Sequence, residues 1–453
     1  MLSNPSLSGV VSFEEARHLV EEHTVRVLAA HRELGETESV DLMAARGRVL
    51  AEALLADRDF PPFPRSTRDG YAVRAADVEQ VPARLQVIGE IKAGDSAEDC
   101  AINRGQAVSI MTGAPLPAGA DAVVMVEYTA LPANAGDGFV EIQRSVKSGE
   151  NFVPRAAEAK AGQRLVERGR RLDHALIAIA ASVGKSQVVV FRKPRVAVLS
   201  TGDEVVEISA IPGPTQIRNS NSYSLAAQIE EAGGDAVRLP IAPDEPKRLR
   251  ALIEEGLASD LLLLTGGVSM GKYDLVEQVL AEMKAEFYFT GARIQPGKPI
   301  VFGSCMCGAG APARVSAANT QHSRARTPSA NAQGRSAPHE RTKYFLGLPG
   351  NPVSTMVTFR LFAQPMIEAL AGAHPQPLIF AHARLKSPIR TKTGLKRFLP
   401  GILSGEFDQA EVELARWQGS GDIATLAKAH CYIVIPEDRE QVETGEWVSL
   451  LLA

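Results

Sequence analysis

The chain has 453 residues, too many for one ordinary hydrophobic core, and a typical domain size of about 150 residues suggests three or so domains. A hydrophobic content of 45% and a charged content of 23% are those of a globular protein, while a net charge of -4 gives no reason to expect nucleic-acid binding. No apolar run approaches about 18 residues, and the N-terminus lacks a basic segment followed by a long apolar one. The sequence therefore predicts no membrane span and no signal peptide, and it favours the cytoplasm.

The chain begins with a predicted helix. Ser12 and Glu15 form a capping box, and apolar residues follow at near-helical spacing. A second helix is predicted in "DHALIAIAASVG", which ends at Gly184 and leads into the strand "SQVVVFRKP". We expect both segments to belong to a discontinuous helical or mixed domain, made of residues 12–58 and 151–193.

Between these helices the sequence predicts a β-rich domain. Segments such as "RLQVIGEIKAG" and "GFVEIQRSV" are short and apolar, and proline and glycine interrupt them. The domain covers residues 59–150, so we expect it to be an insertion in the helical domain.

From Arg195 onward the pattern alternates between strand, loop and helix. The predicted strands are "RVAVLS", "DAVRLPIA", "LLLL" and "YFLG", with helices such as "SYSLAAQIEEAGG" and "PKRLRALIEEGL" between them. Such alternation indicates a doubly wound, mostly parallel sheet with helices on both faces, which is a three-layer α/β domain. We place this domain at residues 194–374.

Glycine-containing loops are predicted at one end of this sheet. "STGDE" follows the first strand, "TGGVSMG" the third and "GLPGNPVS" the last. Ligands of open α/β sheets bind beyond the carboxyl ends of the strands, and glycine lets backbone N–H groups approach an anion. The loops therefore predict a crevice for phosphate. Asp274, just after the second loop, caps its helix, holds a metal ion against the phosphate or takes part in the chemistry itself.

Two further segments complete the chain. Residues 305–343 are rich in Ala, Ser, Arg, Pro and Gly, so we interpret them as a mobile low-complexity loop of the α/β domain. A tolerated insertion is favoured there over a role for its arginines in gathering an anion. Residues 375–453 contain short strands such as "CYIVIP", which predict a small C-terminal β domain.

Taken together, the motifs resemble those of the MoeA-type molybdate insertases, also called molybdopterin molybdenumtransferases, to which the enzymatic domain of gephyrin belongs. The resemblance covers the chain from about Ser12 onward, apart from the loop after Cys305. The motifs that carry it, in chain order, are "STRDGYAV", "MTGAPLPAGADAVVMVE", "STGDE", "TGGVSMGKYD", "PGKPIVFG" and "GLPGNPVS".

The resemblance implies a homodimer of four-domain subunits, with the α/β domain binding molybdopterin. Such enzymes insert molybdate into adenylylated molybdopterin and release AMP with the help of Mg²⁺, in the last step of molybdenum cofactor synthesis. A molybdopterin adenylyltransferase and molybdoenzymes or their chaperones are the implied transient partners, without nucleic acid or membrane. Two alternatives stay open: a molybdopterin adenylyltransferase, which shares the α/β domain, and a non-catalytic pterin-binding scaffold.

The resemblance also implies roles for single residues. The catalytic candidates are Asp69, Glu158 and Asp274, and the tentative magnesium ligands are Asp274 and Asp203. Arg397 is a further candidate. The binding candidates are Thr112, Gly113, Thr201, Gly202, Asp203, Glu204, Gly266, Gly267, Ser269, Gly271, Lys298, Pro349, Gly350, Asn351 and Pro352. Local roles compete with this interpretation, because Asp69 is also a common turn residue, "STGDE" a common helix entry and Lys298 an ordinary surface lysine.

Some positions differ from the residues that the family usually has. Pro64 and Arg65 stand where the family has an Asp-Asn pair, and Asn219 stands where an acid is usual. Glu158, with only Arg155 expected near it, replaces an aspartate, and its longer side chain can displace a ligand by about 1 Å.

Gln295, in "IQPGKP", stands where the family commonly has a second lysine. From the sequence alone, we expect Gln295→Lys to speed a molybdate-dependent step, because lysine adds a positive charge beside Lys298.

Overall fold

The computed structural model describes residues 9–130, 138–267, 275–307 and 341–452. The chain divides into two units. The large unit contains the residues up to Glu38, Gly47–Val49 and the residues from Val190 onward, and the small unit contains Ser39–Arg46 and Leu50–Val189. Within the described ranges, no helix is both long enough and apolar enough to cross a lipid bilayer.

The small unit is built mainly of short strands. Six strands of its described residues form one sheet, in the order Ala122–Met125, Gly70–Val73, Gln106–Ile110, Ala83–Ile91, Phe139–Ile142 and Thr129–Ala130. The sheet is antiparallel except where Ala83–Ile91 and Gln106–Ile110 run parallel. Alternate residues enter two apolar clusters, with Val73 in one cluster and Ala72 in the other. This sheet therefore has the predicted β-rich character.

Short strand pairs and one helix complete the small unit. Leu54–Leu55 pairs with Arg164–Val166, and Arg65–Ser66 pairs with Phe152–Val153. The helix His174–Ser182 begins after Asp173, whose carboxylate accepts a hydrogen bond from the backbone N–H of Leu176 at 2.9 Å. The strands Thr37–Asp41 and Gln187–Phe191 lie at the limits of the unit.

The N-terminal helix belongs to the large unit and spans Phe13–Leu34. The hydroxyl of Ser12 accepts the N–H of Glu15 at 3.1 Å, as the capping box predicts. Ala16 and Val20 are fully buried in the core of the α/β domain. The two helices of the predicted helical domain thus lie in different units, and the boundaries of the four domains stay a prediction.

The α/β domain is a sheet of six described strands covered on both faces. Their order is Asp235–Arg238, Arg195–Ser200, Leu261–Thr265, Arg341–Leu348, Val301–Cys307 and Glu286–Phe289. The first four strands are parallel, and the last two are antiparallel to their neighbours. This order confirms the predicted doubly wound, mostly parallel sheet.

Both faces of the sheet are apolar, which explains why its strands read as continuous hydrophobic runs. Val196 and Val198 enter one core, whereas Ala197 and Leu199 enter the core on the other face. The helices that cover the two faces are Ser220–Glu231, Pro246–Gly256, Leu275–Glu282, Pro352–Thr358 and Gln364–Leu370. Small strand pairs attach to this domain: Val10–Val11 with Gly291–Ala292, and Val205–Val206 with Ile217–Arg218.

The last helical segment of this domain is interrupted by a π-helical turn. The sequence predicts one helix there, but Phe359–Ala363 forms a π turn between two α-helices. Pro365 has no N–H to donate to the carbonyl of Leu361 four residues earlier, which weakens the α-helical pattern. The buried guanidinium of Arg17 donates to that carbonyl instead.

The C-terminal domain is a small closed β barrel, which agrees with the predicted small β domain. Lys396–Ser404 pairs with both Glu411–Leu414 and Cys431–Ile435, which closes the ring through Phe380–Leu385 and Trp447–Leu452. Ile294–Gln295 adds in parallel to Lys396–Ser404 and so joins the "PGKP" segment to the barrel. The remaining elements are the strand pair Ile389–Arg390 and Gln441–Val442 and the short helix Ile423–Leu426.

The predicted loop at 305–343 is shorter than expected at both ends. Residue pairs continue along the ladder from Cys305 and Lys343 to Cys307 and Arg341, so six of its residues belong to strands. Residues 308–340 lie outside the described residues, and the interpretation of that segment as an idle loop stays a prediction.

Candidate functional site

The carboxyl ends of three parallel strands lie side by side in the α/β sheet. Ser200 pairs with Thr265, and Thr265 pairs with Leu348. The loops that begin at Thr201, Gly266 and Pro349 therefore leave the sheet at the same level. The sheet register brings together the glycine loops that the sequence placed at this edge.

Hydrogen bonds tie these loops to one another. The backbone N–H of Thr201 donates to the carbonyl of Thr265 at 3.0 Å. The side-chain amide of Asn221 donates to the hydroxyl of Thr265 at 3.0 Å and to the carbonyl of Gly350 at 2.7 Å. Asn221 thus joins the second and third loops. It was not among the predicted residues, although its position in the first turn of a helix beside the crevice is a usable signal.

Two glycines are required by the close packing of the loops. Gly266 and Gly267 have φ values of 89° and 63°, in the left-handed region. A Cβ atom on Gly266 would lie 2.5 Å from the carbonyl oxygen of Thr201, and one on Gly267 would lie 2.7 Å from its hydroxyl. The second loop therefore lies against the first with no room for a side chain.

Asn219 caps the helix that begins at Ser220. Its side-chain oxygen accepts the N–H of Ser222 at 3.2 Å and the hydroxyl of Ser200 at 3.0 Å, and the residue is only 4% exposed. An amide oxygen meets both needs without burying a charge, which gives a physical reason for an asparagine where the family usually has an acid.

Several polar atoms at this edge have no partner in the described part of the chain. They are the hydroxyls of Thr201 and Ser222 and the side-chain oxygen of Asn221, all buried. An unpaired buried polar atom costs about 1–3 kcal/mol, so such a group of them is a feature of functional sites. Ser269, Gly271 and Asp274, which the sequence predicts for the same crevice, lie outside the described residues.

Carboxylates lie beside the first loop. Asp203 accepts the backbone N–H of Asp244 at 3.1 Å. Burial first, and then the charges of Asp203 and Glu204, raise the pKa of Asp244. A cation would relieve this repulsion. Asp244 was not among the predicted residues, although its place after the strand segment "DAVRLPIA" at the same sheet edge is a usable signal.

The carboxylates at this edge could hold a magnesium ion only together with oxygen atoms from substrate phosphates or water. Among the described residues, no group of three or more His, Cys, Asp or Glu side chains converges to hold a metal ion. Mg²⁺ commonly binds one or two carboxylates together with substrate phosphates and waters. Asp203, with Glu204 and Asp244 nearby, fits that pattern, and Asp274 is outside the described residues.

Lys298 lies at the same sheet edge as the third loop. Val301 pairs with Gly347, so the segment before Val301 emerges near the end of the strand Arg341–Leu348. Gly297 has a φ of 109° and packs so closely that a Cβ atom would lie 2.4 Å from the methyl carbon of Thr358. The loop is therefore fixed, while the side chain of Lys298 is exposed.

Gln295 contacts a buried arginine. Arg397, 6% exposed, donates from Nε to the side-chain oxygen of Gln295 at 2.9 Å and from Nη1 to the carbonyl of Leu395 at 3.0 Å. Burial lowers the pKa of Arg397. A positive charge is thus present beside Gln295 although the expected lysine is not.

In the small unit, Asp69 forms a fixed contact with Thr112. One carboxylate oxygen of Asp69 accepts the N–H of Thr112 at 2.7 Å and its hydroxyl at 2.9 Å. These bonds, first the backbone one, hold the pKa of Asp69 below its usual range. Gly113, with φ 87°, donates its N–H to Ser66 at 2.8 Å. The structure therefore brings Asp69, Thr112 and Gly113 together, and Asp69 stays exposed.

Glu158 pairs with a residue that the sequence analysis did not assign to it. Its carboxylate accepts a hydrogen bond from Arg65 at 3.0 Å. Arg155, the expected neighbour, instead donates to Asp59 at 2.7 Å. The expected pairing of Glu158 with Arg155 was wrong, because Arg65 and Glu158 are distant in sequence and come close only through strand pairing. Two departures from the family pattern thus form an ion pair with each other.

Comparison with protein families identifies the family to which this chain belongs. Residues 11–184 match the MoeA N-terminal region (domain I and II), residues 197–369 a probable molybdopterin binding domain, and residues 382–453 the MoeA C-terminal region (domain IV). The chain belongs to the MoeA family. The predicted resemblance and the predicted multidomain α/β and β fold are confirmed.

Relatives in the MoeA family match over nearly the whole chain. A molybdopterin molybdenumtransferase from a Nostoc species is 34% identical over 92% of this chain and 88% of the relative. One from Bacillus subtilis is 30% identical over 95% of this chain and 93% of the relative. The crystal structure of the molybdopterin biosynthesis protein MoeA from Pyrococcus horikoshii OT3 has a TM-score of 0.69 and 26% identity, covering 97% and 100% of the two chains.

The predicted MoeA-family residues fall into two groups. Asp69, Thr112, Gly113 and Glu158 lie in the small unit. The described residues of the second group lie at the crevice edge of the α/β sheet in the large unit: Thr201, Gly202, Asp203, Glu204, Gly266, Gly267, Lys298, Pro349, Gly350, Asn351 and Pro352.

Proposed function

We propose that this MoeA-family chain is a molybdopterin molybdotransferase, which inserts molybdate into adenylylated molybdopterin and releases AMP. The observation that carries the proposal is the register that aligns Ser200, Thr265 and Leu348, and with them three glycine loops, at one edge of the sheet. A substrate with phosphates needs such backbone donors. The relatives named molybdopterin molybdenumtransferase support the transfer of molybdenum to molybdopterin.

Different residues of the chain are assigned to the phosphates and to molybdate. The N–H groups of Gly266, Gly267 and Gly350 are assigned to bind phosphate oxygens, because glycine has no side chain of its own to keep a ligand away from the backbone. Lys298 and the buried Arg397 provide positive charge for molybdate. Water attacks the molybdopterin-side phosphorus of the adenylyl phosphoanhydride and the bond from that phosphorus to the bridging oxygen breaks. AMP leaves with the bridging oxygen, and molybdopterin keeps its phosphate.

Magnesium is the proposed cation of this reaction. Asp203, with Glu204 and Asp244 nearby, would hold it on the protein side together with Asp274. When bound, the ion would neutralise charge on the phosphate oxygens during cleavage of the phosphoanhydride.

Asp69 is assigned a charge-bearing role and not that of a general base. The two hydrogen bonds from Thr112 hold its pKa below the usual range, so the carboxylate binds a proton weakly at neutral pH. It is suited to accept a hydrogen bond from the substrate and to fix its orientation. In the proposed homodimer, Asp69 acts with the α/β domain of the other subunit.

The homodimer proposal has a direct test. Mixing the weakly active Asp69→Asn and Gly266→Ala variants raises activity above that of either alone if each site uses both subunits, because some mixed dimers then contain one intact site. No recovery in a mixture whose exchange of subunits is demonstrated contradicts the shared site.

The reaction itself is tested by AMP release from adenylylated molybdopterin, with and without molybdate and with and without magnesium. Release that requires both supports the proposal. Tight binding of the substrate without release supports the scaffold alternative. Formation of adenylylated molybdopterin from ATP and molybdopterin supports the adenylyltransferase alternative.

A further inference from the structure

A second cavity lies in the large unit, away from the glycine loops. Its volume is about 280 Å³, and it lies between the last turns of the helix Ser220–Glu231, the π turn and the C-terminal barrel. The residues of the glycine-loop site lie at the opposite, N-terminal end of that helix. Residues that line the cavity include Gln228, Glu231, Met356, Arg360, Leu426 and Tyr432.

Most of the cavity wall is apolar. Met356 and Phe359 come from the α/β domain, and Leu426 comes from the C-terminal domain. This wall suits a flat hydrocarbon body. The volume is just below the range for small-molecule sites, which is about 300–1,000 Å³, so the body is of the size of a single ring.

A guanidinium with unused hydrogen-bonding capacity lies at one side of the cavity. Arg360 donates from Nη1 to the side-chain oxygen of Gln364 at 2.7 Å. Its Nε is buried and has no partner among the described residues. Tyr432 lies close enough for the positive charge of Arg360 to act on it, although burial dominates and raises the pKa of Tyr432 to about 12. Among the described residues only Nη1 of this guanidinium has an acceptor. Because Nε is closed to solvent, the Nη nitrogens are the ones left for a ligand.

The direction of Arg360 depends on the π turn. Arg360 is the second residue of Phe359–Ala363, where the wider turn rotates side chains away from their α-helical positions. Such turns are costly and occur often at functional sites. Pro365 and Arg17 maintain this turn, one by lacking an N–H and the other by donating to the carbonyl of Leu361. The fold therefore holds Arg360 at this wall.

The charges around the cavity select the class of anion. Glu231 also lines it, so an added ligand faces one positive and one negative side chain. A doubly charged phosphate would be repelled by Glu231, whereas a single carboxylate matches the planar guanidinium. Gln228 adds a neutral hydrogen-bonding group, whereas the side chain of Gln364 is already engaged, accepting from Arg360 and donating to Glu368 at 2.9 Å.

We propose that this cavity binds a small monocarboxylate with an apolar, ring-sized body, with Arg360 contacting the carboxylate. This binding is separate from the proposed transferase site and does not depend on it.

The test uses 4-fluorobenzoate as the probe and ¹⁹F NMR on the full chain. Saturable binding is expected, with the neutral 4-fluorobenzamide binding at least about tenfold more weakly. No saturable change up to about 10 mM probe, or equal binding of the amide, overturns the proposal.

Two variants locate the probe. Arg360→Gln is expected to weaken binding by at least about tenfold, because it removes the charge and keeps a polar side chain. Ala227→Trp fills the cavity from an exposed helix position and is expected to abolish binding without disturbing the core. Retained binding in Ala227→Trp overturns the assignment, even if Arg360→Gln fails to fold.

Matched controls show that the effect is local. Arg384→Gln removes an arginine that stacks on Trp447 in the barrel and is expected to leave probe binding unchanged. Gly266→Ala, which alters the glycine loops, is also expected to leave it unchanged. Loss of binding in either control contradicts a separate site at Arg360.

Discussion

The crevice edge of the α/β sheet and the Asp69 turn of the small unit carry candidate residues that are held in place by different means. At the crevice edge, loops follow buried parallel strands and lie against each other, with Gly266 against Thr201 and Asn221 joined to Gly350. Asp69 is exposed and is held mainly by one neighbour, Thr112. The first region is fixed by the core, and the second by a local pair of hydrogen bonds.

This difference predicts different costs of mutation. A change at the crevice edge disturbs both ligand binding and stability, because the same packed atoms serve both. A change at Asp69 removes a chemical group from an exposed position and leaves the fold nearly intact. Function and stability are coupled in one region and separable in the other.

The largest effect is expected for Gly266→Ala. The new Cβ atom would lie 2.5 Å from a backbone oxygen at a φ of 89°, so the loop must move or the chain loses about 1–3 kcal/mol of stability. AMP release is expected to fall by more than about a hundredfold. The matched control is Gly445→Ala, with φ 83° and nothing within 4 Å of its Cβ position. Equal losses of stability and AMP release in both variants would contradict the clash between the new Cβ atom and the carbonyl oxygen of Thr201.

Asp69→Asn is expected to lower AMP release on the order of a hundredfold while the midpoint of urea unfolding changes little. A large shift of that midpoint would remove the contrast between the two regions.

Thr112→Val tests the role of the Asp69 contact through the pH dependence of the reaction. It removes one of two donors that lower the pKa of Asp69, so that pKa rises toward its ordinary value. The carboxylate then takes up its proton at a higher pH, and the acid limb of the pH-rate profile moves to higher pH. Thr129→Val, which loses a comparable hydroxyl bond to Val126, is the control and is expected to leave the acid limb in place.

Gln295→Lys is now expected to slow the reaction, contrary to the expectation from sequence. The lysine would lie against the buried guanidinium of Arg397, which also loses its acceptor, at a cost of about 1–3 kcal/mol. The measurement compares urea unfolding and molybdate-dependent AMP release with those of the unchanged chain. Faster release with unchanged stability would show that Arg397 does not replace the lysine.

Two variants of Asn219 distinguish the effect of its helix cap from the effect of a charge at this position. Asn219→Ala is expected to cost about 1–2 kcal/mol, because it removes the helix cap and leaves the hydroxyl of Ser200 without an acceptor. Asn219→Asp keeps the side-chain oxygen that accepts both hydrogen bonds, so it is expected to lose less stability than Asn219→Ala, although it buries a charge at this position. Equal losses in the two variants, measured by urea unfolding, would contradict the capping role.

The smallest effect is expected for removal of residues 308–340. Cys307 and Arg341 are paired residues of one antiparallel ladder, so an Asn-Gly turn can connect them directly. The free energy of unfolding is expected to change by less than about 1 kcal/mol, and the affinity for adenylylated molybdopterin is expected to stay unchanged. A large loss of affinity would show that this segment contributes to the site.

Sequence periodicity predicted most of the α/β fold because each strand is buried on both faces and each helix has one apolar stripe. The capping box at Ser12 and the strand at Leu261–Thr265 are examples that the structure confirms. The π turn at Phe359–Ala363 was not predicted. Its effect depends on Arg17, which is distant in sequence and reaches the carbonyl of Leu361 only in the folded chain.

The sequence by itself determined the family, the alternation of strands and helices, and the glycine loops at the ends of the strands, because these depend on local spacing and residue type. Tertiary structure alone decided which polar groups meet: Asn221 with Gly350, Arg65 with Glu158, and Arg397 with Gln295. The physical reason is that these contacts join residues far apart in the chain, and no local pattern encodes a distance that only the packed core sets.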